Sequence, residues 1–526
     1  MTNCLKTLAT IRRYWGHQPQ IAGCVIVAIG ALAFTFRNPI SAPLVPAPAW
    51  QQVMPLGAEV CALALADDGD VYLAGTFEDT LHLGKAKLTS VGAADIFVTR
   101  FDVATGTFTW AQQAGGAGRD VIRSLATNHN QVYLAGYAGR AGTGPAAVAR
   151  FDTITLVAQG TTSMFVAKLE EQGGRAQFRW VQGMSDVRAS EVQQMAVNNG
   201  NIFIAGSMDG NDVHFGIDRH KDGKALPRDS TRYHHAMYVA RMSDAGTDVK
   251  GASMLIIGFD RHHVFTGLVA DAYPDVYLSG SFEENPATFI HMPNDKPGTG
   301  KATHLEAQIH KFTDESNKLM PIWDYTLGDS SETTVEALAV KGDRLYAAGT
   351  FRKSTHFKDI RLTAAAPTSY LACLTSSTYA AEPVWAVPLT GPASRAARCQ
   401  ATALALHDSA VYVAGRYEAA PPPKAIRQAV SGGLPKRLTN GNSSGIFVSH
   451  LIDTGSEGQV RWQQVATSSG KVRASSLVVK GGLVHVAGSA TSAVQFGRFK
   501  LSSGKAPQRA ATGFWAELGP AKYNGQ

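Results

Sequence analysis

The chain has 526 residues, 44% of them hydrophobic and 17% charged, with 52 glycines and a net charge of +7. Lys6, Arg12, Arg13 and Arg37 supply four of those seven charges inside an acid-free stretch of 50 residues. The remainder is a normally charged surface without a basic, aromatic-interleaved stripe, so nucleic acid is not expected as a partner.

In chain order, residues 1–20 form a basic segment and residues 21–36 (IAGCVIVAIGALAFTF) an uncharged apolar run. That run has the length and flank of a signal peptide or signal anchor, with Ala31-Leu32-Ala33 as a small-x-small cleavage site. The positive flank stays in the cytoplasm, so the chain beyond it is expected to be secreted, periplasmic or anchored outside the cytoplasm. Membrane contact is expected only through 21–36, if they are not removed. Ile21-Ala22-Gly23-Cys24 resembles a lipoprotein box, but the apolar run follows the Cys instead of preceding it. Residues 37–48 carry four prolines and read as a stiff tether.

From residue 49 onward the sequence repeats. VYLAG at 71–75 returns at 132–136, then as IFIAG (202–206), VYLSG (276–280), LYAAG (345–349), VYVAG (411–415) and VHVAG (484–488). Each copy is preceded by an alternating run such as CALALAD (61–67) or VEALAVK (335–341), with a polar turn between, which reads as a hairpin. A variable loop follows, then a third strand such as IFVTRFD (96–102) or MFVAKLE (164–170). A short strand centred on Trp ends the unit, as in FTWAQQ (108–113) and FRWVQG (178–183). The Gly closing each VYLAG is expected to permit a backbone turn. The tryptophans are read as packing residues because they recur once per repeat.

Successive copies lie 61 to 74 residues apart, and four antiparallel strands per unit of that size make a propeller blade. The last copy ends at FWAELG (514–519) without a Trp strand, whereas a spare one, AWQQVMPL, stands at 49–56. Its WQQV repeats that of 462–465. The expectation is an all-β, seven-bladed propeller over 49–526, four antiparallel strands per blade, closed by strand 49–56 completing the last blade.

These motifs resemble the bacterial beta-propeller repeat family known as SBBP, over roughly residues 50–519. The resemblance implies a propeller fold and export, and no single activity. The strand GASMLIIGF (251–259) departs from the pattern by lacking Trp, and AQIHKFT (307–313) by lacking the expected aromatics.

Catalytic signatures are sparse. Gly441–Gly445 (GNSSG) matches a nucleophile elbow but precedes a strand, where the elbow needs a following helix. Pro297–Lys301 lacks the first Gly of a phosphate loop, and Ala302 replaces its Ser or Thr. RFDVATGTFTW (100–110) is reminiscent of quinoprotein propellers, but seven long blades argue against a quinone. No cofactor and no resident metal is expected. Cys61, Cys373 and Cys399 have no metal or disulfide-framework spacing and read as small buried side chains, with a Cys373–Cys399 bridge left open.

The polar members picked out of the inner strands are Arg123, Gln193, Gln194 and Glu336. Nine of sixteen His residues fall between 214 and 310. In an antiparallel blade the second-to-third-strand loop and the loop into the next blade leave the same face. His214, His220, His234, His235, Arg261, His262 and His263 are therefore the candidate ligand residues, at the long-loop face of blades three and four. They could take an anion, more tightly as pH falls through about 6.5. Two functions stay open: an exported non-catalytic scaffold binding a protein or polysaccharide, or a propeller lyase or hydrolase acting on an extracellular polymer.

Overall fold

The computed structural model describes residues 48–140, 146–159, 162–215, 233–258, 264–270, 274–283, 305–315, 318–328, 332–389, 398–419, 443–502 and 512–520. The basic segment, the apolar run and all of the proline-rich tether but Pro48 lie outside them. The described residues form strands and turns without a helix, arranged as seven antiparallel blades.

Blade one comprises Glu59–Leu65, Val71–Phe77, Asp95–Asp102 and Thr107–Gly116, counted outward from the axis. Blade two comprises Val121–Asn128, Gln131–Gly139, Thr162–Gln172 and the first part of Arg175–Asn198. The rest of that long strand begins blade three, followed by Asn201–Phe215, Tyr233–Asp244 and Val249–Gly258. Blade four is Val264–Ala270, Asp275–Glu283, Leu305–Glu315 and Lys318–Leu327. Blade five is Thr334–Lys341, Arg344–Phe351, Thr368–Ser376 and Ala381–Leu389. Blade six is Arg398–His407, Ala410–Ala419, Ser443–Asp453 and Gly458–Ser468. Blade seven has Val472–Lys480, Leu483–Ala490 and Thr512–Gly519 from the end of the chain, and Ala49–Leu56 from its start.

The closing strand pairs antiparallel with Thr512–Gly519, from Ala49 opposite Gly519 to Leu56 opposite Gly513. The expected closure by 49–56 is thus the observed one, and it removes an edge that would otherwise template aggregation. Two other outer edges are covered as well. The hairpin Ala146–Phe151/Ile154–Gln159 of blade two adds to the outer strand of blade one, and Val494–Phe496/Phe499–Leu501 of blade seven adds to that of blade six. The departures noted in the sequence do not break the pattern: Val249–Gly258 and Leu305–Glu315 form their strands in place.

Two repeated devices explain the repeated letters. The first is a stack across each blade. The Tyr of VYLAG meets the Trp two strands away at ring-centroid distances of 5.9 Å (Tyr72–Trp110), 6.2 Å (Tyr133–Trp180), 5.9 Å (Tyr277–Trp323), 6.1 Å (Tyr346–Trp385) and 6.1 Å (Tyr412–Trp462). These pairs present hydrogen-bond donors toward the third-to-fourth-strand turn of the next blade. Tyr133 Oη and Trp180 Nε1 both donate to Asp244, at 2.7 and 3.1 Å, and buried Lys168 reaches the same carboxylate at 2.7 Å. Tyr346 Oη and Trp385 Nε1 donate to Asp453 at 2.7 and 2.9 Å. Arg100 meets Glu171 at 2.7 Å, and Arg241 meets Asp314 at 2.8 Å. Burial raises the Asp244 carboxyl, but bonds from Lys168, Tyr133, the Gly246 amide and Trp180 overcome it and hold the group below its usual range.

The second device is a β-bulge in every inner strand, at Cys61, Arg123, Gln193, Thr266, Glu336, Thr402 and Ser475. The extra residue throws the preceding strand backbone across the VYLAG glycine. A Cβ at Gly75, Gly136, Gly206, Gly280, Gly349, Gly415 or Gly488 would collide with the carbonyl of Glu59, Val121, Glu191, Val264, Thr334, Gln400 or Arg473. The glycine therefore serves close backbone approach in mid-strand, and not the terminal turn expected from the sequence.

Candidate functional site

A bulged residue is unpaired in the ladder, so its side chain is re-aimed. Here all seven bulges sit at one level and line the axial channel, a cavity of 710 Å³. The side chains at that level are Cys61, Arg123, Gln193, Thr266, Glu336, Thr402 and Ser475. Two residues earlier in each strand lies an outer ring that includes Glu59, Glu191, Gln400 and Arg473. The wall farther along is apolar, with Leu63, Leu125, Leu268, Leu338, Leu404 and Leu477. The channel thus has a polar, mixed-charge mouth over an apolar throat. It opens where the inner strands begin, the face from which the second-to-third-strand loops project.

Neighbouring inner strands are tied together around this mouth. Gln193 Oε1 accepts from the Phe265 amide at 3.3 Å, Gln194 Nε2 donates to the Thr266 carbonyl at 3.2 Å, and Thr402 Oγ1 to the Ala474 carbonyl at 2.8 Å. Burial raises the Glu336 carboxyl; hydrogen bonds from Gln400 and Thr334 and the charges of Arg473 and Arg416 oppose it. Burial also pushes the Cys61 thiol up to about 12, with Glu59 adding and Arg123 and Arg473 opposing.

The mouth continues sideways into a cleft of 460 Å³ between blades five and six, which shares Glu336, Gln400 and Arg416 with the channel. Glu332, Arg352, Arg398 and Glu418 rim it. In the ladder of blade six Arg398 stands opposite Glu418, and Gln400 opposite Arg416.

Of the inner-strand residues singled out in the sequence, Arg123, Gln193, Gln194 and Glu336 all come together at this mouth. Glu59, Glu191, Arg416 and Arg473 were missed. Glu59, Glu191 and Arg473 each precede a bulge by two positions, a relation that shows only once the strand ladder is known. The seven histidine-loop candidates fare differently. The backbone places His214 opposite Ser185 and puts His234 and His235 just after Tyr233, itself opposite Gly210, at the long-loop end of blade three. His220, Arg261, His262 and His263 lie outside the described residues, as do Pro297–Lys301. Gly445 of the GNSSG stretch lies within the strand Ser443–Asp453. Cys61, Cys373 and Cys399 are not disulfide-bonded among the described residues. Among the described residues no group of three or more His, Cys, Asp or Glu side chains is placed to hold a metal.

The architecture defines the class: a seven-bladed β-propeller with a polar channel mouth. No family model and no curated protein matches the chain. Solved structures that match include the apocarotenoid oxygenase of Synechocystis, as a Glu150Gln mutant, at 11% identity and a TM-score of 0.31, covering 64% of this chain and 62% of that one. A second is Drosophila Plexin A in complex with Semaphorin 1b, at 8% identity and a TM-score of 0.37, covering 90% and 88%. The chain thus spans less than two thirds of the oxygenase, and likeness at this level carries no argument about activity.

Proposed function

We propose that the chain is an exported, non-catalytic propeller that binds an anionic group of a protein or polysaccharide partner at the channel mouth. One observation carries the reading: Arg123, Arg416 and Arg473 converge on the mouth, and among the described residues none forms an ion pair. Among the described residues Arg416 spends only its Nε, on Gln400 at 2.9 Å, and Arg123 rests over the Tyr137 ring. Exposed guanidinium forks left open at a concave mouth suit carboxylate, sulfate or phosphate. Export rests on the basic flank and apolar run of residues 1–36.

The test uses the full chain and a galacturonate hexamer as probe. Saturable, salt-sensitive binding that weakens at least tenfold in Arg123→Ala/Arg473→Ala is expected. Unchanged binding in that variant, or recovery of the native protein from the cytosol of its host, would overturn the proposal. A second reading, a lyase or hydrolase, is favoured by Glu336, a half-buried carboxyl raised by its surroundings beside two arginines. Release of new chain ends from the polymer, lost in Glu336→Gln, would establish it instead.

A further inference from the structure

The cleft between blades five and six has a floor with unusual bonding. Glu336 accepts two hydrogen bonds, from Thr334 Oγ1 and Gln400 Nε2, each at 3.2 Å, and both fall on Oε1. Its Oε2 has no hydrogen-bond partner among the described residues, and no Lys or Arg nitrogen there lies within 4.0 Å of the carboxylate. On the other wall, Gln400 Oε1 accepts from Arg416 Nε at 2.9 Å, and neither terminal nitrogen of the guanidinium has a partner among the described residues. One side-chain amide therefore spans the gap between an open carboxylate oxygen and an open guanidinium fork. Both open groups are hydrogen-bonded through the same amide and line one small cleft.

We propose that this cleft binds a free α-amino acid, its ammonium on Glu336 Oε2 and its carboxylate on Arg416, with Gln400 as the spacer. The inference rests on the channel-mouth reading above and narrows it: the anionic group is a carboxylate that arrives with a neighbouring cation. A volume of 460 Å³ leaves room for the amino acid's side chain against Phe351, Pro367 and Cys399. A ligand lacking either charge forfeits one charge-assisted bond, to the half-buried Glu336 carboxylate or to the exposed Arg416 guanidinium. Rim residues Arg352 and Glu332 give the same cleft a charge of each sign at its entrance.

The experiment is ligand-observed NMR titration of the full chain with each of the twenty free L-amino acids. The N-acetyl and C-amide derivatives of the tightest binder are titrated next. Saturable binding by at least one amino acid, weakened tenfold or more by either blocking group, is expected. In Glu336→Gln the acetyl derivative should bind as well as the parent, and in Arg416→Ala the amide should. Equal binding of blocked and free forms to the wild type overturns the inference, as does the absence of saturation by any amino acid. If the galacturonate hexamer still binds and depends on Arg123 and Arg473 in that case, only the amino-acid site is lost and the channel-mouth reading stands.

Discussion

Trp50 is the sharpest lever on ring closure. It belongs to the one strand contributed from the far end of the chain, is 5% exposed, and sits edge-on to Phe496 with ring centroids 5.0 Å apart. Its Nε1 donates to the Val465 carbonyl of blade six at 3.2 Å, so the ring bridges blades six and seven. Replacing Trp50 with Ala removes a buried aromatic that cannot be refilled, at a cost of about 3–5 kcal/mol. That is a large share of the roughly 5–15 kcal/mol that holds a typical domain folded. A weakened closing strand also leaves Thr512–Gly519 with an open edge, so association should accompany the loss. The assay is equilibrium urea unfolding of the full chain, with light scattering in parallel. Val460→Ala, on a residue 51% exposed, serves as control and should shift stability by less than about 0.5 kcal/mol. In the double variant Trp50→Ala/Phe496→Ala, a coupling of about 0.5–1.5 kcal/mol should report the ring pair itself. A Trp50→Ala protein that loses under about 1 kcal/mol and stays monodisperse would refute closure through this strand.

Further outcomes follow from the buried charges. Asp244→Ala takes from fully buried Lys168 the carboxylate 2.7 Å away, leaving it Glu170 at 3.0 Å, and should cost about 1–3 kcal/mol by urea unfolding at neutral pH. Burial raises the Asp453 carboxyl, yet bonds from Tyr346, the Gly455 amide and Trp385 and the charge of Arg344 bring it below its usual range. Its stabilisation is therefore complete above the unfolded value near 3.9 and lost as pH falls through the folded one, so wild type should lose its advantage over Asp453→Asn between about pH 5 and 2. Asp120 has the opposite sign: burial pushes it up to about 6, the Gly116 and Gly139 amides oppose, and Asp95 adds to the rise. Its charge costs about 3 kcal/mol at pH 7 and nothing below about 3.8, so wild type should gain on Asp120→Asn as pH falls from about 7 to about 4.

What was legible in the sequence is what packing repeats. Tyr, Trp, the apolar runs and the stray WQQV at 49–56 all serve contacts made in the same way in many blades, and identical contacts select identical letters. The bulges were not legible. A bulge is a property of two strands, and it adds one residue without breaking the alternation inside VCALAL or VQQMAV. The VYLAG glycine was its trace, but a glycine at the end of an apolar run reads equally well as a turn. The channel mouth was passed over for a related reason. Histidines stand out by type in the loops around 214–263, whereas Glu59, Glu191 and Arg473 are ordinary charged residues at strand entrances, and only the ring brings them together.

The bulge level also shows why this fold can carry a private function inside a public repeat. The positions on either side of each bulge are constrained: the carbonyl before it lies on a glycine, and the residues after it pack into the throat. The bulged residue itself has no ladder partner and no required packing neighbour, so the fold does not dictate its type. The chain accordingly holds six different residues at seven equivalent places: Cys61, Arg123, Gln193, Thr266, Glu336, Thr402 and Ser475. At the Tyr position six of the seven copies are aromatic rings and the seventh is His485, also a ring, stacked on Trp515 at 5.6 Å. Geometric equivalence with chemical diversity is the condition under which a symmetric ring can present an asymmetric surface. In this propeller that condition is met at the channel mouth, where one half of the ring, blades six, seven, one and two, carries Arg416, Arg473 and Arg123 around Glu59. Glu191 and Glu336 face them from blades three and five. An oriented ligand, one with a distinct cationic and anionic end, is what such a divided mouth can tell from a symmetric one.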